Sequence, residues 1–93
     1  MTRLDLRIKY RFETGISPTY GEDGYGYTYK GGLTKEYVEW LEGAKGMERQ
    51  IRYRYNTGEL PTFKKRENGE FVTKYLKYYK EWLEDFMLNY LKY

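Results

Sequence analysis

Leu4-Asp5-Leu6-Arg7-Ile8-Lys9-Tyr10-Arg11-Phe12 is the stretch on which the fold turns. Apolar side chains occupy every even position from Leu4 to Phe12, and charged ones every odd position from Arg3 to Arg11. A period of two suits a strand with one covered and one wet face, whereas a helix would scatter these side chains around its axis. The stretch therefore predicts an opening β-strand with Leu4, Leu6, Ile8, Tyr10 and Phe12 in the core. Its other face would carry Arg3, Arg7, Lys9 and Arg11, offset by Asp5 and Glu13.

The same text returns downstream. Ile8 to Tyr20 reads IKYRFETGISPTY, and 43 positions later Ile51 to Phe63 reads IRYRYNTGELPTF, with seven of thirteen residues identical. A second block follows in the same order, KEYVEWLE from Lys35 to Glu42 returning as KYYKEWLE from Lys77 to Glu84. Two matched blocks imply a duplicated unit of roughly forty residues. One such unit buries too little surface to be stable alone. Residues 1–93 are accordingly read as a single domain of two repeats, about 7–46 and 50–89, sharing one core about a pseudo-twofold axis, as an isologous dimer would. Ile8 and Ile51, Tyr10 and Tyr53, and Trp40 and Trp82 should then occupy matching places. Ile51 should be a core residue whose truncation to Ala costs about 2–5 kcal/mol.

Turn and cap signals fill in the units. Gln50 to Tyr55 repeats the opening strand, and Thr14-Gly15 and Thr57-Gly58 read as tight turns. Ile16 to Tyr20 and Glu59 to Lys65 read as second strands, ending at the hairpin dipeptides Asp23-Gly24 and Asn68-Gly69. Tyr25 to Lys30 reads as a third strand, which shrinks to Glu70 to Val72 in the second unit. Each unit closes in a helix. The first has Thr34 as N-cap, Tyr37, Val38, Leu41 and Ala44 at helical spacing, and Gly46 as terminator. The last runs from Thr73 to Lys92 with a wide apolar stripe. The expected class is α+β: two units of β-hairpin or meander plus helix, with an antiparallel sheet covered by two helices on one face. In strand order alone, each unit resembles the DNA-reading domains of the AP2 type and the arm-binding domains of tyrosine integrases, which imply a sheet placed against the major groove.

Composition narrows the chemistry. There is no Cys and no His, and a single Ser, so a nucleophilic triad and thiolate metal sites are excluded. The acid pairs Glu39/Glu42 and Glu81/Glu84 fall at i,i+3 on lysine-rich helices and read as solvated faces. Asp5, Glu13 and Asp23 match no metal-loop spacing. Gly21, Gly24, Gly26, Gly31 and Gly32 lack the strand context of a phosphate loop. A non-enzymatic protein without a cofactor is the expectation. No apolar run spans a membrane and no leader precedes the first strand, which predicts a soluble, intracellular protein. Abundant Lys, Glu, Arg and Tyr beside single Gln, Ser and Ala residues is a thermophile tendency.

Functional promise lies in the cations. Arg3, Arg7, Lys9 and Arg11, joined by Arg52 and Arg54 from the repeat, would share one sheet face, and Lys64, Lys65 and Arg66 would extend it. Phosphate-binding surfaces have this composition, and an antiparallel ribbon can enter the major groove. The net charge is only +3. The leading expectation is DNA or RNA binding by a small protein, monomeric or homodimeric and away from membranes, of a virus or mobile element. The alternative is a protein-interaction module, such as a viral inhibitor of a host complex, with Tyr25, Tyr27 and Tyr29 as its aromatic patch.

Overall fold

Arg3 to Thr14 form a helix, not a strand. In the computed structural model, which describes residues 2–20 and 32–91, this helix, α1, begins with a reciprocal cap. The Asp5 N–H donates to Thr2 Oγ1 at 3.2 Å, and the Thr2 N–H donates to the Asp5 carboxylate at 2.8 Å. Those bonds from Thr2 hold the Asp5 carboxyl below its ordinary range. At the other end Gly15 takes a φ of 74° and returns its N–H to the Arg11 carbonyl at 2.8 Å. Thr14-Gly15 is thus a helix stop, since glycine serves the left-handed C′ position as readily as a hairpin turn.

The alternation misled because burial follows the helical period. Leu6, Arg7 and Tyr10 point inward, while Leu4, Ile8 and Phe12 remain 50%, 42% and 91% exposed. Arg, Leu and Lys are strong helix formers, and the cap fixes the register. The repeat behaves alike. Gly46 to Thr57 form α3, ended by Gly58 at φ 76°. Arg49 and Tyr53 are buried, whereas Met47, Ile51 and Tyr55 face outward. Ile8, Ile51, Phe12 and Tyr55 are therefore not core residues, and no sheet forms from the two repeated strands.

The remaining elements lie nearer to expectation. Thr34 caps α2 (Lys35–Glu42), accepting the Tyr37 N–H at 3.1 Å. Gly43, at φ 59°, turns the chain through a 3-10 segment, Gly43–Lys45, and Gly46 starts α3 instead of ending a helix. Strands β1 (Thr62–Glu67) and β2 (Glu70–Tyr75) pair antiparallel from Thr62↔Tyr75 to Glu67↔Glu70. Asn68 and Gly69 both take positive φ, 52° and 82°, as a two-residue hairpin loop requires. Because β2 runs on to Tyr75, the last helix, α4 (Lys77–Leu91), starts later than the sequence suggested. Among the described residues the first repeat holds one bridge, Thr19↔Leu33, at the place matching Thr62↔Tyr75. The turn Asp23-Gly24 and the strand Tyr25 to Lys30 lie outside the described residues.

The core is helical. Leu6, Tyr10, Leu33, Tyr37, Val38, Leu41, Tyr53, Tyr79 and Leu83 form one buried cluster, with Trp40 and Trp82 packed against it. Helices α2 and α4 pack together, and α1 and α3 each lean on both. The chain is α+β, but among the described residues its only sheet is the two-stranded hairpin. An antiparallel sheet roofed by two helices is not what forms, and the strand-order likeness to AP2-type and integrase domains falls with it. No helix among the described residues is long and apolar enough to cross a membrane.

Candidate functional site

Two aromatic groups flank the helical core. Tyr10 meets Tyr37 and Trp40 edge-on at 5.1 and 5.4 Å, and the latter two stack at 6.1 Å. Tyr53 meets Tyr79 and Trp82 edge-on at 5.2 and 5.4 Å, and these two stack at 6.2 Å. Behind each group lies a buried carboxylate. Glu84 accepts both arms of Arg7, Nε to Oε2 at 2.8 Å and Nη2 to Oε1 at 2.7 Å, and the Tyr37 hydroxyl at 2.8 Å. Glu42 accepts Tyr79 at 2.6 Å, Tyr75 at 3.0 Å and Gln50 at 2.9 Å. Donors to each acid come from the other repeat.

The electrostatics of the two acids differ. Glu84 is neutralised by a guanidinium, whereas the hydrogen-bond donors to Glu42 are neutral. Burial, and then the Glu42 carboxylate, push the Tyr75 and Tyr79 hydroxyls far above the ordinary phenol range. Glu42 and Glu84 are not solvated faces, as the i,i+3 acid pairs suggested; only Glu39 and Glu81 retain exposure. Their recurrence in both copies of the Trp-Leu-Glu block was the available signal. Asp5 and Glu13 occupy opposite ends of α1, and Asp23 lies outside the described residues. Among those residues no group of three or more acidic side chains gathers as a metal site would.

The predicted cations are not gathered on one face. Arg3, Arg7, Lys9 and Arg11 ride on α1. Arg7 points inward, Arg3 is clamped to Asp85 with Nη2 2.6 Å from Oδ2, and Arg11 is partly covered. Lys9 is exposed, as are Arg52 and Arg54 on α3. A face made of α1 and α3 strands was the wrong geometry, since a helix turns successive odd positions to different sides. Tyr25, Tyr27 and Tyr29 lie outside the described residues.

Lys64, Lys65 and Arg66 lie on β1 and are exposed, without the basic sheet face they were expected to extend. The register puts Lys64 and Arg66 on one face of the hairpin beside Phe71 and Thr73, and Lys65 on the other with Phe63 and Val72. Phe63 and Phe71 are exposed, so both faces of the ribbon carry a cation and an open ring. Among the described residues none of these three cations joins an ion pair, whereas Lys74 meets Glu67 at 3.2 Å. No family, curated protein or solved structure matches this chain.

Proposed function

We propose that this chain is a non-enzymatic nucleic-acid-binding protein that grips phosphates of DNA or RNA with its β1–β2 hairpin. The observation that carries this reading is a ribbon with exposed side chains on both faces, where Lys64, Lys65 and Arg66 join no ion pair among the described residues and stand beside exposed Phe63 and Phe71. Cations outside ion pairs attract phosphate, a two-stranded ribbon has the width of a major groove, and exposed rings stack on unpaired bases. Arg52, Arg54 and Lys9 on the helices would add long-range attraction. Labelled duplex and single-stranded oligonucleotides provide the test. Binding should weaken between about 50 and 200 mM salt, and the triple variant Lys64→Ala, Lys65→Ala, Arg66→Ala should lower the salt slope by about three. Affinity indifferent to salt, or unchanged in the triple variant, defeats this reading.

The repeats are proposed to be a fused duplicate about a pseudo-twofold axis. Matched ring distances around Tyr10 and Tyr53, and the exchange of donors between Glu42 and Glu84, support it.

One observation favours a second reading, a protein-interaction module. Leu4, Ile8 and Phe12 on α1, and Met47, Ile51 and Tyr55 on α3, form outward apolar rows at matching positions. Exposed rows of this kind mark contact surfaces. A partner captured from nuclease-treated lysate and lost on Ile8→Asp and Ile51→Asp substitution would favour it over nucleic-acid binding.

A further inference from the structure

Arg49 presents an energetic anomaly. The residue is 6% exposed, yet among the described residues its guanidinium joins no ion pair, and its Nε is enclosed without an acceptor. The charge rests on rings instead, 4.7 Å from the centre of Phe86 and 5.4 Å from that of Tyr90. Arg52 brings a second guanidinium to 5.2 Å from the same Phe86 ring. Two like charges thus approach one aromatic ring, and no carboxylate among the described residues joins either. Glu42 makes no ion pair with Arg49; its oxygens accept from Tyr75, Tyr79 and Gln50.

A ring face stabilises a cation but offers no acceptor to an in-plane N–H. An enclosed N–H left this way is costly, and a buried guanidinium charge is stabilised by an anion. The sequence repeat sharpens the point. Leu6 stands at the position matching Arg49, Lys9 at that of Arg52, and Ala44 at that of Phe86. Leu6 is buried at 1%, so an apolar residue fits this place in the fold. The three departures converge on one spot of the second unit. Trp82, Phe86 and Tyr90 stack in turn at 5.2 and 6.4 Å, which leaves Tyr90, 55% exposed, as the outer rung.

We infer that Arg49 and Arg52, backed by Phe86 and Tyr90, form a receptor for a phosphate group. Guanidinium forks match phosphate oxygens in geometry as well as charge, and the Tyr90 ring offers a platform to a base attached to that phosphate. The source is a nucleic-acid strand, which rests on the function proposed above, or a free phosphoanion, which does not.

Two measurements on the full chain separate these sources. The first is the melting temperature with pyrophosphate, against sodium chloride of equal ionic strength. The wild type should gain several degrees from pyrophosphate by binding to the folded state, and Arg49→Leu should gain none while melting no lower than the unliganded wild type. Arg52→Ala, at an exposed position, should lose most of the gain whether or not Arg49→Leu folds. The second is anisotropy of a labelled oligothymidylate, whose affinity should fall about tenfold in Arg52→Ala, as for loss of one charged hydrogen-bonding group. Pyrophosphate stabilisation without oligonucleotide binding supports the receptor with a free phosphoanion as ligand and counts against nucleic-acid binding. A wild type indifferent to both probes, or an Arg52→Ala variant that retains the full response to both, overturns the proposal.

Discussion

Arg7 and Glu84 tie the first helix to the last with two parallel hydrogen bonds, 2.8 and 2.7 Å long, in a place with almost no solvent. Removing Arg7 takes away the bidentate partner of a buried carboxylate, which keeps the Tyr37 hydroxyl at 2.8 Å and Arg3 Nε at 3.7 Å. Arg7→Met should destabilise the chain by about 3–5 kcal/mol, and Arg7→Met with Glu84→Met should recover much of that loss, since apolar replacement of a buried pair is commonly near neutral. Urea denaturation of the two variants decides; a double variant no more stable than the single one counts against this account.

Ile51 is 62% exposed on the outer side of α3, so Ile51→Ala should cost less than about 0.5 kcal/mol. Leu83→Ala, at a position without solvent contact, should cost about 2–5 kcal/mol. Chemical denaturation of both gives the comparison. Equal losses would mean that the outward row of α3 is covered in solution.

Alkali should unfold this protein early. Tyr10, Tyr53, Tyr75 and Tyr79 all have hydroxyls raised above the usual range, chiefly by burial. A raised folded value means that the native state keeps its protons after the unfolded chain has lost them. Stability from these groups is full below the unfolded value near 10 and is lost as the pH rises above it toward the raised folded values. Lys80, lowered by burial, acts in the opposite sense but is one group against four. Melting between pH 8 and 11 should show the decline, and Tyr75→Phe with Tyr79→Phe should flatten it.

Gly58 ends α3 at φ 76° with its N–H on the Arg54 carbonyl, a conformation that disfavours a side chain. Gly58→Ala should cost about 1 kcal/mol, and Gly15→Ala about the same at the end of α1. Thermal melts of the two variants provide the check, and a loss at only one would mean that the two helix ends are held differently.

The hairpin of the second half and the start of α2 were the most legible elements. Asn68-Gly69 specified its hairpin because few dipeptides accept two positive φ values, and Thr34 marked a helix start by its hydroxyl. The opening stretch was ambiguous. Its alternation satisfied a strand template, while the counter-signals, Thr2 with Asp5 three positions on and Gly15 after a run of helix formers, were local and weaker. Tertiary packing settled the matter by burying Arg7 against Glu84, an inward arginine that no periodicity of apolar residues registers. The basic hairpin was readable because exposure of three consecutive cations follows from their cost of burial. Arg49 was not, since its setting depends on rings supplied by a helix more than thirty residues away.

Each repeat carries an acid whose donors belong to the other: Glu42 takes Gln50, Tyr75 and Tyr79, and Glu84 takes Arg7 and Tyr37. Severing the chain near Lys45 would leave two fragments, each with a carboxylate stripped of these donors, and burial of such a group is costly. Neither fragment should fold alone, yet mixed in equal amounts they should reassemble, because the lost link is only the short turn before α3. Circular dichroism of the mixture should then exceed the sum of the separate spectra in helix content. Folding in this protein is an act of mutual completion, and a lesion in either acid should be felt first in the opposite half.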